Sequence, residues 1–136
     1  MGIVHKQTAG EESVIWEYPT VPMTEYRSDA SAGITKQILI GQTEGATDFV
    51  MRYFTIPPGG QSALDQHPHQ HGVVVIQGCG RVLLGEQWHS IEVGDSIFTG
   101  ANEVHQFEAS GSEPLCFICV IPAWAEADAC AIPVRT

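Results

Sequence analysis

Basic residues are scarce in this chain, which has six Lys and Arg among 136 residues against 16 Asp and Glu. The net charge of −10 argues against nucleic acid or an anionic membrane surface as a partner, because both are bound through clustered Lys and Arg. The acidic residues are spread along the chain and form no tail, so they mainly favour solubility. We therefore expect neither a nucleic-acid nor a membrane partner.

Long apolar runs are also lacking. No stretch approaches the roughly 18–20 apolar residues of a transmembrane helix. The first residues, MGIVHKQTAG, lack the apolar segment of a signal peptide, and Lys6 stands where the myristoylation pattern requires Ser or Thr. The expected location is the cytoplasm, and the length predicts a single domain.

Cysteine is too sparse for a disulfide framework. Cys116 and Cys119 have CxxC spacing, but they lie in PLCFICVIP, which is typical of a β-strand. Three residues of strand separate two Cα atoms by roughly 10 Å, which exceeds the limit of about 7 Å for a disulfide. The two side chains also point to opposite faces, so we expect small buried hydrophobic residues with reduced thiols.

Apolar residues at every second position are the strongest pattern, and they indicate β-strands separated by turns. The turn sequences include PPGG at 57–60, GCG at 78–80 and SGSEP at 110–114. Short strands at nearly even spacing predict an all-β sandwich or barrel, and only residues 123–129 have a briefly helical pattern. The predicted strands are 37–40, 48–56, 72–77, 81–84, 87–91, 95–99, 104–108 and 115–121.

Residues 1–35 lack this alternation. Prolines and scattered Ser, Thr and Asp interrupt the segment, while Trp16, Tyr18 and Val21 still provide apolar surface to bury. We predict an irregular arm that packs along a sheet of its own subunit or of a neighbour. The predicted organisation is this arm, a barrel domain at 36–122 and a C-terminal tail at 123–136.

The segment DQHPHQH, residues 65–71, places one Asp and three His at every second position, a composition that suggests a metal site. Asp65 and His67 share a face of an extended chain, and His71 begins the next strand. Pro68 removes a backbone donor, so we expect a bend at 68–70 that turns His69 toward solvent.

Two longer patterns frame this segment: Gly59-x5-Asp65-x-His67-x3-His71-x6-Gly78 and Gly94-x5-Gly100-x-Asn102-x2-His105-x3-Ala109. Their spacings resemble the two motifs of the cupin superfamily, Gly-x5-His-x-His-x3 or x4-Glu-x6-Gly and Gly-x5-Pro-x-Gly-x2-His-x3-Asn. The resemblance covers residues 36–122 and includes PPGG before the first motif and GD at the start of the second. Five motif positions differ in residue type, which are Asp65, His71, Gly100, Asn102 and Ala109. The resemblance implies a double-stranded β-helix, or jelly-roll barrel.

The resemblance also implies one divalent transition metal, bound inside the barrel by Asp65, His67, His71 and His105. The set keeps the three imidazoles and one carboxylate of the usual family site, with the carboxylate at the first position. Such donors suit Fe, Mn, Ni, Co, Cu or Zn. His69 is the alternative ligand if Asp65 instead accepts a hydrogen bond from a ligating His, and an empty barrel is the alternative to the whole set. Two further histidines, His5 and His89, fit neither motif and are expected at the surface.

Small cupins with such sites include dioxygenases, isomerases and lyases, so the resemblance favours a metal-dependent enzyme, an oxidoreductase of dioxygenase type or an isomerase or lyase. The residues beside the site predict a pocket for a small, partly hydrophobic organic substrate. A non-catalytic cupin that binds a sugar or an effector, or has a structural role, is the alternative. The predicted pocket residues are Val73, Val75, Phe107, Phe54, Ile97 and Leu64, with Gln61 and Arg52 as polar contacts.

A homodimer is the expected assembly. Val74 and Ile76 alternate with inward-facing neighbours, so they lie on an outer face of the sheet. The long arm provides a segment able to cover a sheet edge of a partner.

Overall fold

The computed structural model describes residues 2–9, 15–26 and 33–126. Eleven β-strands form three sheets in this part of the chain. A 3₁₀ turn spans Gln42–Glu44, and residues 123–126 are helical. The strands are β1 (Thr8–Ala9), β2 (Trp16–Glu17), β3 (Met23–Glu25), β4 (Thr35–Ile40), β5 (Phe49–Ile56), β6 (His71–Gln77), β7 (Cys79–Leu84), β8 (Gln87–Glu92), β9 (Ser96–Thr99), β10 (His105–Ser110) and β11 (Leu115–Pro122).

The sheets have the topology of a jelly roll. The largest has the order β3-β4-β5-β11-β6-β9, and a three-stranded sheet has the order β10-β7-β8. All pairs are antiparallel, and β11 lies between β5 and β6 although it comes last in the chain. The inner faces enclose one apolar cluster. The prediction of an all-β jelly-roll barrel is confirmed.

Each of the eight predicted strands is present, with ends that agree within two residues. The arm contains three short strands that its sequence did not predict. The last of them, β3, extends the large sheet by pairing Met23 with Gln37 of β4. Backbone hydrogen bonds to a sheet edge form this pairing, and they require no alternation of side chains. Of the predicted helical segment 123–129, residues 127–129 lie outside the described residues.

The arm packs on the outer face of its own sheet. Val21 is buried there with Leu39, Tyr53 and Cys116, and Trp16 packs against the same group. Cys119 belongs to the inner cluster instead. The two strand cysteines therefore lie on opposite faces as predicted, and both are buried free thiols.

Left-handed backbone conformations explain the residue types at several motif positions. Gly78 has a φ of 81° and Gly94 has a φ of 94°, a conformation that glycine adopts without steric cost. Asn102 has a φ of 62° and stands where the family motif has a glycine. Asn is among the few other residues that tolerate this conformation. The substitution at position 102 therefore preserves the turn before β10.

Within the described residues, no helix is long and apolar enough to cross a bilayer. The cytoplasmic location stays a prediction.

Candidate metal centre

Backbone pairing brings the two motifs together at one end of the barrel. The amide N of Asp65 lies 2.9 Å from the carbonyl O of His105, and the reverse pair is also separated by 2.9 Å. Asn102 N donates to the carbonyl O of His67 over 2.7 Å. Directly opposed residues of an antiparallel pair project their side chains to the same face. Asp65 and His105 are therefore neighbours although 40 positions separate them in the sequence.

Three imidazoles have their Nδ1 atoms occupied. His67 Nδ1 lies 3.0 Å from the carbonyl O of His69, and His105 Nδ1 lies 2.8 Å from the carbonyl O of Glu103. His71 Nδ1 lies 3.2 Å from Cys119 Sγ. Since a carbonyl only accepts, Nδ1 carries the proton in His67 and His105, and their Nε2 atoms have lone pairs in the neutral rings. Metal-binding histidines are typically oriented by such a bond at the other ring nitrogen.

Two of the Nε2 atoms lie close together, and the third belongs to a ring packed beside them. His67 Nε2 and His71 Nε2 are 2.8 Å apart. His105 Nε2 is buried and has no hydrogen-bond partner among the described residues. The ring of His105 lies 4.6 Å from that of His67 and 5.0 Å from that of His71, centre to centre. A buried lone pair without a donor, such as that of His105 Nε2, costs free energy, and a bound metal ion would remove that cost.

Two groups of side chains have ligand atoms close enough to share an ion, and His67 belongs to both. One group is His67, His69 and His71, and the other is Asp65, His67 and His105; in each, all ligand atoms lie within 4.8 Å of one another. The four predicted ligands are divided between the groups, because His71 shares one with His67 and His69 while Asp65 and His105 share the other with His67, so the ligand set stays a prediction. The donors fit a divalent transition metal, because imidazole nitrogens with one carboxylate suit such ions.

His69 occupies a different position from the one expected. It is 4% exposed, its ring stacks 3.7 Å from that of His67, and it meets Trp124 edge-on at 6.0 Å. The prediction of a solvated His69 is wrong. Pro68 and Gln70 turn outward instead, because the alternation of an extended chain persists through the bend.

Burial keeps the imidazoles neutral. Desolvation lowers the pKa of His67 and of His105. It also lowers the pKa of His71, where the Arg52 guanidinium adds to the effect, and it lowers the pKa of His69 to about 4. Neutral imidazole is the form that binds metals, so these side chains are ready for coordination near pH 7.

Asp65 is held by the arm. The Tyr26 hydroxyl donates to Asp65 Oδ2 over 3.1 Å, and the Tyr26 ring packs edge-on against Phe54. Burial raises the pKa of Asp65, and the hydrogen bond from Tyr26 opposes that rise. One carboxylate oxygen is thus occupied by Tyr26, a contact that sequence reasoning missed.

Most predicted pocket residues line the barrel interior. Val73, Val75, Phe54, Phe107 and Ile97 are buried in the inner cluster. Arg52 is buried as well, at 4% exposed. Gln61 is half-buried and bridges to Glu108, while Leu64 is 40% exposed and so does not line the interior as expected.

The remaining predictions concern the two histidines outside the motifs and the cysteine Cys119. His89 is exposed as predicted, and His5 is half-buried, with its Nε2 2.7 Å from Glu44 Oε2. Sequence reasoning treated Cys119 as an inert core residue, whereas its Sγ contacts both His71 and Arg52. Strand parity carries the signal for this contact, because Arg52 and Cys119 are cross-strand partners on β5 and β11.

Comparisons with known proteins agree with this architecture. The family model for the cupin domain matches residues 52–121. The chain is 32% identical over 111 residues to a 1-methylthio-D-xylulose 5-phosphate methylsulfurylase from Rhodospirillum rubrum, covering 79% of this chain and 70% of the relative.

Solved structures of similar proteins also include a cupin domain. A cupin-2 domain protein from Rhodospirillum rubrum has a TM-score of 0.73 at 30% identity, covering 82% of this chain and 76% of that one. The polyketide cyclase RemF from Streptomyces resistomycificus has a TM-score of 0.70 at 25% identity, covering 77% and 75%. With its barrel, its two motifs and these matches, the chain belongs to the cupin family.

Proposed function

We propose that this chain is a metal-dependent enzyme that acts on a small, partly hydrophobic organic substrate. The supporting observation is one cluster of imidazoles with bonded Nδ1 atoms, in which His67 Nε2 and His71 Nε2 lie 2.8 Å apart and the ring of His105 packs beside both. In the proposed site, these three imidazoles and Asp65 hold one divalent transition metal, and His69 competes with Asp65 for the fourth position.

The chemistry proposed is Lewis-acid catalysis, in which a bound metal polarises an oxygen atom of the substrate. The protein's own contribution is positional. Tyr26 fixes one oxygen of Asp65, the carbonyls of His69 and Glu103 orient two imidazoles, and the apolar wall around Phe107 excludes water. A dioxygenase-type reaction would use the same metal ligands, and O₂ uptake distinguishes it from Lewis-acid catalysis.

The relatives support an enzyme. One similar protein is described as a methylsulfurylase and another as a polyketide cyclase, and neither description is that of an oxygenase. The sugar phosphate in the name of the Rhodospirillum rubrum relative is the first substrate to assay.

Metal content tests the site. Elemental analysis is expected to find one equivalent of metal in the purified protein and far less in His67→Ala and His105→Ala. His89→Ala is the matched control, since His89 is exposed and lies outside the cluster. Equal metal in all four proteins would refute the proposed centre.

Activity tests the chemistry. The protein loaded with Fe, Mn, Ni, Co or Zn is assayed for loss of 1-methylthio-D-xylulose 5-phosphate and, by O₂ uptake, for turnover of catechol, flavonol and β-diketone substrates. Turnover without O₂ uptake supports Lewis-acid chemistry, and O₂ uptake supports the dioxygenase version. A protein that binds metal stoichiometrically but turns over nothing would favour the binding-protein alternative.

A further inference from the structure

An arginine inside the barrel has an unused hydrogen-bond donor. Arg52 is 4% exposed, and its guanidinium carbon lies 4.9 Å from the centre of the Phe54 ring. Its Nε has no hydrogen-bond partner among the described residues. Buried donors are nearly always paired, because an unpaired one costs free energy. An unpaired guanidinium N–H in this position indicates that a ligand completes the bonding.

The existing partners of Arg52 leave its charge poorly matched. Its NH2 group donates to Cys119 Sγ over 3.1 Å, and its NH1 group lies 3.5 Å from Glu126 Oε1. Charge-assisted Arg–carboxylate bonds are usually about 2.7–2.9 Å long and often paired. The contact with Glu126 is therefore long and single.

A second cation shares the same carboxylate. Lys36 Nζ lies 2.9 Å from Glu126 Oε2, and both side chains are mostly buried. Lys36 and Arg52 together carry two positive charges, and Glu126 supplies one negative charge between them. The Asp65 carboxylate also interacts with Arg52 electrostatically, so the two cations are balanced while Glu126 stays in place. Once Glu126 moves away, the two partly desolvated cations outnumber the remaining carboxylate, which favours binding of an anion.

A cavity reaches this cluster from outside. Its volume is about 870 Å³, and it is lined by Lys36, Ile38, Trp124 and Glu126 among others. That size is within the range of small-molecule sites. Because Glu126 both lines the cavity and contacts Arg52, a ligand that displaced its carboxylate would reach the guanidinium.

The cluster adjoins the candidate metal centre. Cys119 Sγ lies 3.1 Å from Arg52 and 3.2 Å from His71 Nδ1, so a single side chain separates the guanidinium from that imidazole. Trp124, which lines the cavity, meets His69 at 6.0 Å. The Arg52 cluster and the candidate metal centre are therefore adjacent through Cys119 and through Trp124.

We propose that Arg52 and Lys36 form a subsite for an oxyanion group of the substrate, a carboxylate or a phosphate, and that the Glu126 carboxylate occupies this subsite until the substrate displaces it. The inference rests on the proposed function for the rest of the substrate, and it narrows that function to anionic substrates. The Glu126 carboxylate is itself an oxyanion, so it has the same chemistry as the substrate group that would displace it.

Anion binding to the metal-free protein tests the proposal separately from the metal. Inorganic phosphate and malonate are titrated by calorimetry into the EDTA-treated protein, and the probe that binds identifies which oxyanion the subsite prefers. Glu126→Gln removes the competing carboxylate, so it is expected to tighten binding about tenfold, while Arg52→Gln weakens binding at least tenfold. A gain of affinity is not expected from a substitution that merely damages the fold.

The surface pair Arg81–Glu108, with a 2.8 Å contact, provides matched controls. Arg81→Gln and Glu108→Gln are expected to leave anion affinity unchanged. If Arg52→Gln does not fold, Lys36→Gln takes its place with the same expected loss. Failure of both probes to bind Glu126→Gln, or equal affinity in the wild type and the Arg52 or Lys36 variant, would overturn the proposal. Metal content measured on the same proteins keeps the two questions apart, since a Glu126→Gln variant that binds neither probe but has full metal content would refute the subsite alone.

Discussion

Metal is expected to stabilise the folded protein by an amount that can be worked out in advance. An ion that binds only the folded state adds about 2.7 kcal/mol to the free energy of unfolding at 100 times its dissociation constant. The unfolding entropy of a 136-residue chain is roughly 0.29 kcal/mol/K. The thermal midpoint of the EDTA-treated protein should therefore rise by about 9 °C when metal is added at that excess.

The substitution that removes this rise is His67→Ala, because His67 is common to both groups of ligand atoms. Differential scanning calorimetry with and without metal measures the rise, and His89→Ala should retain all of it. Asp65→Asn and His69→Ala separate the two candidates for the fourth ligand, since only the true ligand's variant loses most of the rise. A full rise in His67→Ala would refute the reasoning.

Three other predictions concern pH, packing and assembly. Burial lowers the pKa of the cluster histidines, so the unfolded chain binds protons that the folded one does not; the urea midpoint of the metal-free protein should fall as pH drops from about 6.5 toward 4, and a flat profile would contradict this. Phe117 is buried in a stack with Phe54 and Phe107 at 5.3 and 4.6 Å, so Phe117→Ala should cost about 3–5 kcal/mol in urea unfolding, and a loss below about 1 kcal/mol would show that the site collapses without strain. The expected homodimer would use the outer sheet face, where Phe98 is 63% exposed opposite Gly72; Phe98→Asp should yield monomers in sedimentation, and a wild-type mass near 14.7 kDa would exclude the dimer.

The barrel was predictable because its strands have a simple period. In β6, Val73 and Val75 face the core and Val74 faces out, which two-residue alternation already indicates. The glycines at strand ends fix the turns, so the spacing of the two motifs predicts where the strands end. Asn102 preserves one such turn through a backbone conformation that Asn tolerates.

The wrong prediction for His69 and the missed strand in the arm have local causes. Pro68 suggested a bend that would expose the His69 side chain to solvent. The side chains of the extended chain instead keep alternating between the two faces through the bend, so His69 is buried. The arm strand β3 forms through backbone bonds to β4, which no side-chain pattern marks.

Contacts between distant segments were beyond sequence reasoning. Tyr26 meets Asp65 across 39 positions, and Glu126 meets Lys36 across 90. Neither pair has a local spacing that indicates a contact, because tertiary folding alone brings the segments together. The residues of the candidate centre were predictable through their motifs, and the groups that orient them were not.

Anomalous scattering at the absorption edge of the bound metal tests the central claim most directly. Crystals of the wild-type protein, with the metal first identified by elemental analysis, should show one strong anomalous peak per chain within bonding distance of the Nε2 atoms of His67, His71 and His105, at about 2.0–2.2 Å. The same map would show whether Asp65 or His69 completes the set. Metal-replete crystals with no peak at this cluster, or with peaks only at surface residues such as His89, would contradict the account.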